Sequence, residues 1–151
     1  MTRPPADATV VVAGATGHVG GALVERLLMD GRDVRCIVRD RAKLRVEPDA
    51  VGVVEGDLAD RATLDDAFVE GCVAYFLAHA LAAGGSLADQ ERRLAENFAS
   101  AAKDAGAARI VYLGGLVDES EELSPHMASR VETGRILRAS VFRRSSSGRR
   151  S

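Results

Sequence analysis

The chain has no tryptophan, and aromatic residues make up only 4% of its 151 positions. A core with so few rings is expected to be aliphatic, built from Val, Leu, Ile and Ala. Cysteine is scarce too. Cys36 and Cys72 lie in apolar segments without CxxC spacing, which argues against a metal or redox pair and reads as two buried, reduced thiols. The three histidines, His18, His79 and His126, show no metal-ligand spacing, so no metal site is expected. No segment approaches the roughly 20 apolar residues that a bilayer-spanning helix needs. The opening MTRPPADAT lacks the apolar stretch of a secretory signal. A cytoplasmic protein without a membrane partner is the expectation. Positive charge is also in short supply. Net charge is −2, and with the four Arg of 143–151 set aside the rest holds 16 basic and 22 acidic residues. Such a body offers no electrostatic footprint for nucleic acid.

What is present is an alternation of apolar runs. Thr9–Ala13 (TVVVA) is short, β-branched and without polar interruption, the mark of a strand buried on both faces. Val34–Val38, Val51–Glu55, Val73–Ala78 and Arg109–Leu113 read as four further strands. Between them lie helical patterns. In the first, Val19, Leu23 and Leu27 repeat at four-residue spacing, with Ala22 and Leu28 widening the stripe and Gly31 as the stop. Arg41–Arg45 reads as a short helix and Asp60–Val69 as another, with Leu64 and Phe68 one turn apart. Leu87–Ala105 is a long helix with Leu94, Phe98 and Ala102 on one face, closed by Gly106. A last helix is expected from the cap Ser124 and Pro125 to about Ala139. Strands alternating with helices predict an α/β, doubly wound parallel sheet, a Rossmann fold of order 3-2-1-4-5. Residues 1–139 form its single domain. Residues 140–151 (SVFRRSSSGRRS) are read as a disordered Ser/Arg-rich tail, and a sixth strand is missing.

Gly14, Gly17 and Gly20 (GATGHVG) stand between the first strand and the first helix. The first glycine permits a tight turn. The second lets a pyrophosphate approach the backbone, and the third allows close packing of helix and strand. Free amides at the helix N-terminus then face the phosphates. The flanking strand, amphipathic helix and second strand supply the context that makes this spacing a dinucleotide fingerprint. Arg39 and Asp40 follow the second strand. An acid there would bind a ribose 2′-hydroxyl and an arginine a 2′-phosphate. With the strand ending at Val38, Arg39 lies nearer, so NADP is the expected cofactor and NAD the alternative. After the third strand, Asp57 is placed either to accept from an adenine amino group or, with Asp60, to cap the next helix.

GATGHVG, the VRD after strand two, GDL after strand three, RIVYLGGL at strand five and LSPHMASRVETGRILRAS resemble the NmrA-like, atypical branch of the extended short-chain dehydrogenase/reductase family over about residues 8–140. The resemblance implies NAD(P)H binding. It places Gly14, Thr16, Gly17, His18, Val19 and Gly20 in the phosphate loop and Arg39 at the 2′-phosphate. It sets Asp57 and Leu58 beside adenine, and Ala78 and His79 beside the nicotinamide ribose. Asn97 falls at a helix asparagine that supports a proton relay in active members. The Ser, Tyr and Lys of active members do not carry over. Gly114 and Gly115 stand where Ser is expected, His126 where Tyr would be and Arg130 where Lys would be. His126 as proton donor and Arg130 as ribose ligand are the surviving catalytic candidates, four residues apart on one helix. Where members continue into a further strand and a substrate-covering region, this chain reads VFRRSSSGRRS, which suggests a truncated or frame-altered member.

Three roles follow from this reading: an oxidoreductase on a small organic substrate, a non-catalytic redox sensor acting through a protein partner, or an inactive remnant. The acidic pairs Asp65–Asp66 and Glu119–Glu122 read as solvated surface, and Gly84-Gly85-Ser86 as a hinge.

Overall fold

The computed structural model describes residues 6–80, 86–113 and 124–141; within the last segment the side chains of His126, Ser140 and Val141 are not described. Gly84, Gly85, Gly114, Gly115, the 119–122 acidic run and the tail past 141 lie outside these residues. Five strands, β1 (Val10–Ala13), β2 (Val34–Val38), β3 (Gly52–Glu55), β4 (Val73–Phe76) and β5 (Arg109–Tyr112), form one parallel sheet in the order β3-β2-β1-β4-β5. This is the expected doubly wound Rossmann topology. β1 is central, and all four of its residues are buried, as its unbroken apolar run requires.

Three helices flank the sheet: α1 (His18–Met29), α2 (Leu87–Ala105) and α3 (Pro125–Val141). α1 ends where Gly31 takes a φ of +72°. Its amide returns to the Leu28 carbonyl and that of Arg32 to Leu27, the paired bonds of a Schellman stop. α2 closes the same way at Gly106. Ser124 caps α3 by accepting from the Met127 amide at 3.3 Å, and Pro125 takes the first helical position.

Three expectations need correction. The buried face of α1 is Gly20, Gly21, Val24 and Leu27, while Val19 and Ala22 are exposed. The stripe runs through the glycines because Gly20 lies against the turn before the helix and Gly21 against the Arg45 side chain. Asp60–Val69 is not an α-helix: only Arg61–Leu64 coils, as a 3-10 turn. The Thr63 hydroxyl donates to the carbonyls of Asp57 and Asp60 and accepts from the Asp57 amide, which holds the chain in turns instead. Leu64 and Phe68 are buried all the same. Finally, the core is not purely aliphatic. On one face of the sheet, under α2 and α3, Phe98 packs edge-on against Phe68 at 5.1 Å and Phe76 at 5.0 Å. The other face, under α1, is aliphatic around Val10, Val12, Val24 and Val34. Few rings did not mean dispersed rings. Cys36 and Cys72 are free and fully buried as expected, and burial pushes the Cys36 thiol up to about 11.

Candidate functional site

The glycine loop is shaped by contacts that forbid side chains. Gly14 has a φ of +89°, and a Cβ there would lie 2.6 Å from the Leu77 carbonyl, on the chain leaving β4. The Gly17 amide donates to the Gly14 carbonyl at 3.1 Å and closes the turn. A Cβ at Gly20 would lie 1.9 Å from that same Gly14 oxygen. The third glycine therefore packs helix against turn, rather than helix against strand as expected. Gly17 differs: a Cβ there would meet only the Gly14 carbonyl, at 3.3 Å. It caps α1 with no side-chain hydrogen bond, and the first turn carries no acid. The opening amides of α1 are thus left without partners inside the helix, and Thr16, Gly17, His18 and Val19 are all exposed around them. Uncapped amides and the positive end of the helix fit a diphosphate.

Two further segments close this end of the sheet. Past β2, Asp40 is engaged locally, its carboxylate accepting from the Ala42 amide at 3.0 Å, whereas Arg39 is exposed. Past β3, Asp60 caps the 3-10 turn by accepting from Ala62, and Asp57 accepts from Ala59 at 2.9 Å. The side-chain amide of Asn97, on α2, donates to the Leu58 carbonyl at 2.8 Å. Asn97 thus ties α2 to the turn after β3.

A cleft opens at the carboxyl ends of β4 and β5, between α2 and α3. Its walls include Ala78, His79, Glu91, Tyr112, Arg130 and Thr133. Because Gly14 abuts Leu77 and Ala78, the glycine loop and the cleft are adjacent across the gap between β1 and β4. This gap is the topological switch point where open α/β sheets bind ligands. The Glu91 carboxylate, buried, accepts from the Ser129 hydroxyl at 2.8 Å. The Arg130 Nε is buried without a hydrogen-bond partner among the described residues. Burial raises the Tyr112 hydroxyl above its ordinary value; Arg130 opposes that rise, Glu91 adds to it, and the Thr133 side chain lowers it again. α3 is held on α2 by Arg92, which grips Glu132 through Nε and Nη2 at 2.8 and 3.3 Å.

The structure thus brings Ala78, His79 and Arg130 together beside the glycine loop. Asn97 is not among the cleft residues. His126 lies in the first turn of α3, one turn before Arg130. Glu91, Tyr112, Ser129 and Thr133 escaped the sequence reading. One signal was present: Glu91 occupies the same helical face as Ala95, Phe98 and Ala102, where a carboxylate is out of place. Among the described residues no group of three or more His, Cys, Asp or Glu is arranged to hold a metal, and no helix is long and apolar enough to cross a membrane.

Fold and loop together define a dinucleotide-binding Rossmann protein. The chain belongs to the NAD(P)H-binding family, whose model matches residues 14–142. Among solved structures, Citrobacter sp. triphenylmethane reductase is similar with 27% identity and a TM-score of 0.70 over 87% of this chain and 45% of that one. The same enzyme complexed with NADP(H) gives a TM-score of 0.67. A short-chain dehydrogenase/reductase superfamily protein from Agrobacterium tumefaciens with bound NAD shares the fold at 21% identity and a TM-score of 0.66, over 87% of this chain and 44% of that one. Among curated proteins, dihydroflavonol 4-reductase of Zea mays is 40% identical over 77 residues, 45% of this chain and 21% of the relative. The chain spans about half the length of the solved proteins and between 11% and 21% of the curated relatives.

Proposed function

We propose that this protein is an NADPH-dependent reductase of small organic substrates. The observation that carries the reading is the adjacency of the uncapped glycine loop to a cleft holding a buried arginine nitrogen that has no hydrogen-bond partner among the described residues. In this reading the amides of the 14–20 loop take the pyrophosphate. Arg39, exposed where Asp40 is committed to its own turn, takes the 2′-phosphate. Asp57 and Leu58 lie along the adenine. Ala78 and His79 flank the nicotinamide ribose, whose hydroxyls Arg130 binds from α3. The cofactor, when bound, supplies the reducing equivalents; the chain supplies position and exclusion of water. His126 is the acid that the sequence alone offers.

The test is calorimetric titration of parent and Arg39→Ala with NADPH and NADH. A lost charge-assisted contact should weaken NADPH binding by about 10- to 100-fold and leave NADH nearly unchanged. Equal losses for both, or for neither, would remove the NADP assignment. A second reading, a redox sensor acting through a protein partner, draws on the replacement of the family's Tyr and Lys by His126 and Arg130. It requires unequal affinities for NADP and NADPH and a partner released by one of them.

A further inference from the structure

The turn after β3 is tied to one face of α2, where Asn97, Ser100 and Asp104 recur at three- and four-residue spacing. Arg61, in the 3-10 turn, donates to the Ser100 hydroxyl at 3.2 Å and to the Asp104 carboxylate at 2.9 Å. Both bonds are exposed to solvent, and they fasten turn to helix without reaching the residues next to β3. Asn97 reaches them. Its side-chain amide donates to the Leu58 carbonyl at 2.8 Å, in a part-buried bond. The N–H of that same peptide plane belongs to Ala59, and it donates to Oδ1 of Asp57 at 2.9 Å. A planar trans peptide points its carbonyl and its N–H in opposite directions. The plane therefore joins Asn97 on one side to the Asp57 carboxylate on the other, and hydrogen bonds in such a chain strengthen one another. The second carboxylate oxygen of Asp57, an acceptor, and the Leu58 N–H, a donor, make no hydrogen bond among the described residues.

We propose that Asn97 is a positioning residue for the adenine end of the cofactor site, and not part of a proton relay. Its amide fixes the 58–59 peptide, and that peptide fixes the Asp57 carboxylate with one oxygen engaged and the other open. The proposal rests on the NADPH contacts given above and is independent of whether a substrate is reduced. Adenine carries an amino group that donates, with ring nitrogens beside it that accept. The open Asp57 oxygen and the Leu58 N–H are the matching acceptor and donor. Hypoxanthine has a carbonyl in place of the amino group, which would set oxygen against the carboxylate. The family resemblance puts a proton relay at this asparagine. Here its donor is committed to Leu58, and the walls of the cleft that hold His79, Tyr112 and Arg130 do not include it.

The test is calorimetric titration of the full chain with NADPH, with 2′,5′-ADP and with the NADPH analogue that carries hypoxanthine for adenine. Asn97→Ala removes the donor. Asn97→Asp keeps the shape and turns the donor into an acceptor, so it should be the more severe. Each should weaken NADPH and 2′,5′-ADP to the same extent, by about 3- to 10-fold or more, and lower the preference for adenine over hypoxanthine by a like factor. Arg61→Ala releases the same turn from the same helix. It should lower the melting temperature slightly and leave the base preference as it is in the parent. A preference moved as far by Arg61→Ala as by Asn97→Ala would make Asn97 one more fastening and overturn the proposal. NADPH affinity unchanged in both Asn97 variants, the result that a proton relay requires, would overturn it too. A parent that binds neither NADPH nor 2′,5′-ADP overturns the cofactor contacts themselves, and the proposal with them.

Discussion

The two faces of the sheet divide the work differently. Under α1 the core is aliphatic, and the candidate phosphate site on that side is made of backbone: three glycines clear the way for amides without partners inside the helix. Under α2 and α3 the core is built around three phenylalanines, and the candidate site is made of side chains brought together from four segments. The backbone site is local, spanning seven residues. The side-chain site joins Glu91 to Ser129, 38 residues apart. A site made of backbone writes itself into spacing; a site made of side chains exists only after helices have docked.

If the aromatic face carries the packing, its centre should be the costliest place to cut. Phe98 is fully buried and touches both Phe68 and Phe76. Phe98→Ala should cost about 3–5 kcal/mol and lower the melting temperature by roughly 10 °C in calorimetry. Val24→Ala, on the aliphatic face, removes less volume and should cost about half as much. Equal losses would erase the proposed asymmetry between the faces.

The glycine loop offers a sharper cut, because its glycines do different work. Gly20→Ala drives a Cβ into a backbone oxygen that cannot swing away. It should cost about 2–3 kcal/mol and disturb binding through the distorted turn. Gly17→Ala has ordinary backbone angles, φ −77° and ψ 172°, and a single tight neighbour. It should leave stability within about 1 kcal/mol of the parent yet weaken NADPH by roughly 100-fold, since its methyl stands where the phosphates approach. Binding retained in Gly17→Ala would end the backbone account of this face.

The same contrast explains what could be read in advance. β2 and α2 have the expected bounds, Val34–Val38 and Leu87–Ala105, because a β-branched run, a Ser86 cap and a Gly106 stop are all local. The strand order follows from alternation and handedness alone. The reading failed where a tertiary contact overrules periodicity. Val19 keeps the four-residue spacing but lies on the open side, because Gly20 must face the turn. Leu64 and Phe68 are buried without a helix between them, since the Thr63 hydroxyl reaches back to the Asp57 and Asp60 carbonyls and fixes the preceding turn and the 3-10 turn. At the site, the backbone elements were legible and Arg39, Ala78, His79 and Arg130 fell near them. Tyr112 and Thr133 were not, because a tyrosine in a strand and a threonine in a helix announce nothing until β5 and α3 touch.

The smallest expected effect concerns how α3 is held over the cleft. The guanidinium of Arg92 keeps the Glu132 carboxyl below the usual carboxylate range, chiefly through its hydrogen bonds. A carboxylate whose folded value is depressed contributes stability above its unfolded value, near 4.5, and loses that contribution as pH falls through the folded value. Both side chains are about two-fifths exposed (42% each), so the contribution is small and salt screens it. Glu132→Gln should therefore match the parent in melting temperature at the acid end and fall slightly behind it as pH rises past about 5, with the gap closing in high salt. Amide exchange should quicken in α3 and stay unchanged in α1, on the far face of the sheet. A difference that grows toward acid, or that loosens α1 equally, would mean that this ion pair does not fasten the side-chain site to the rest of the fold.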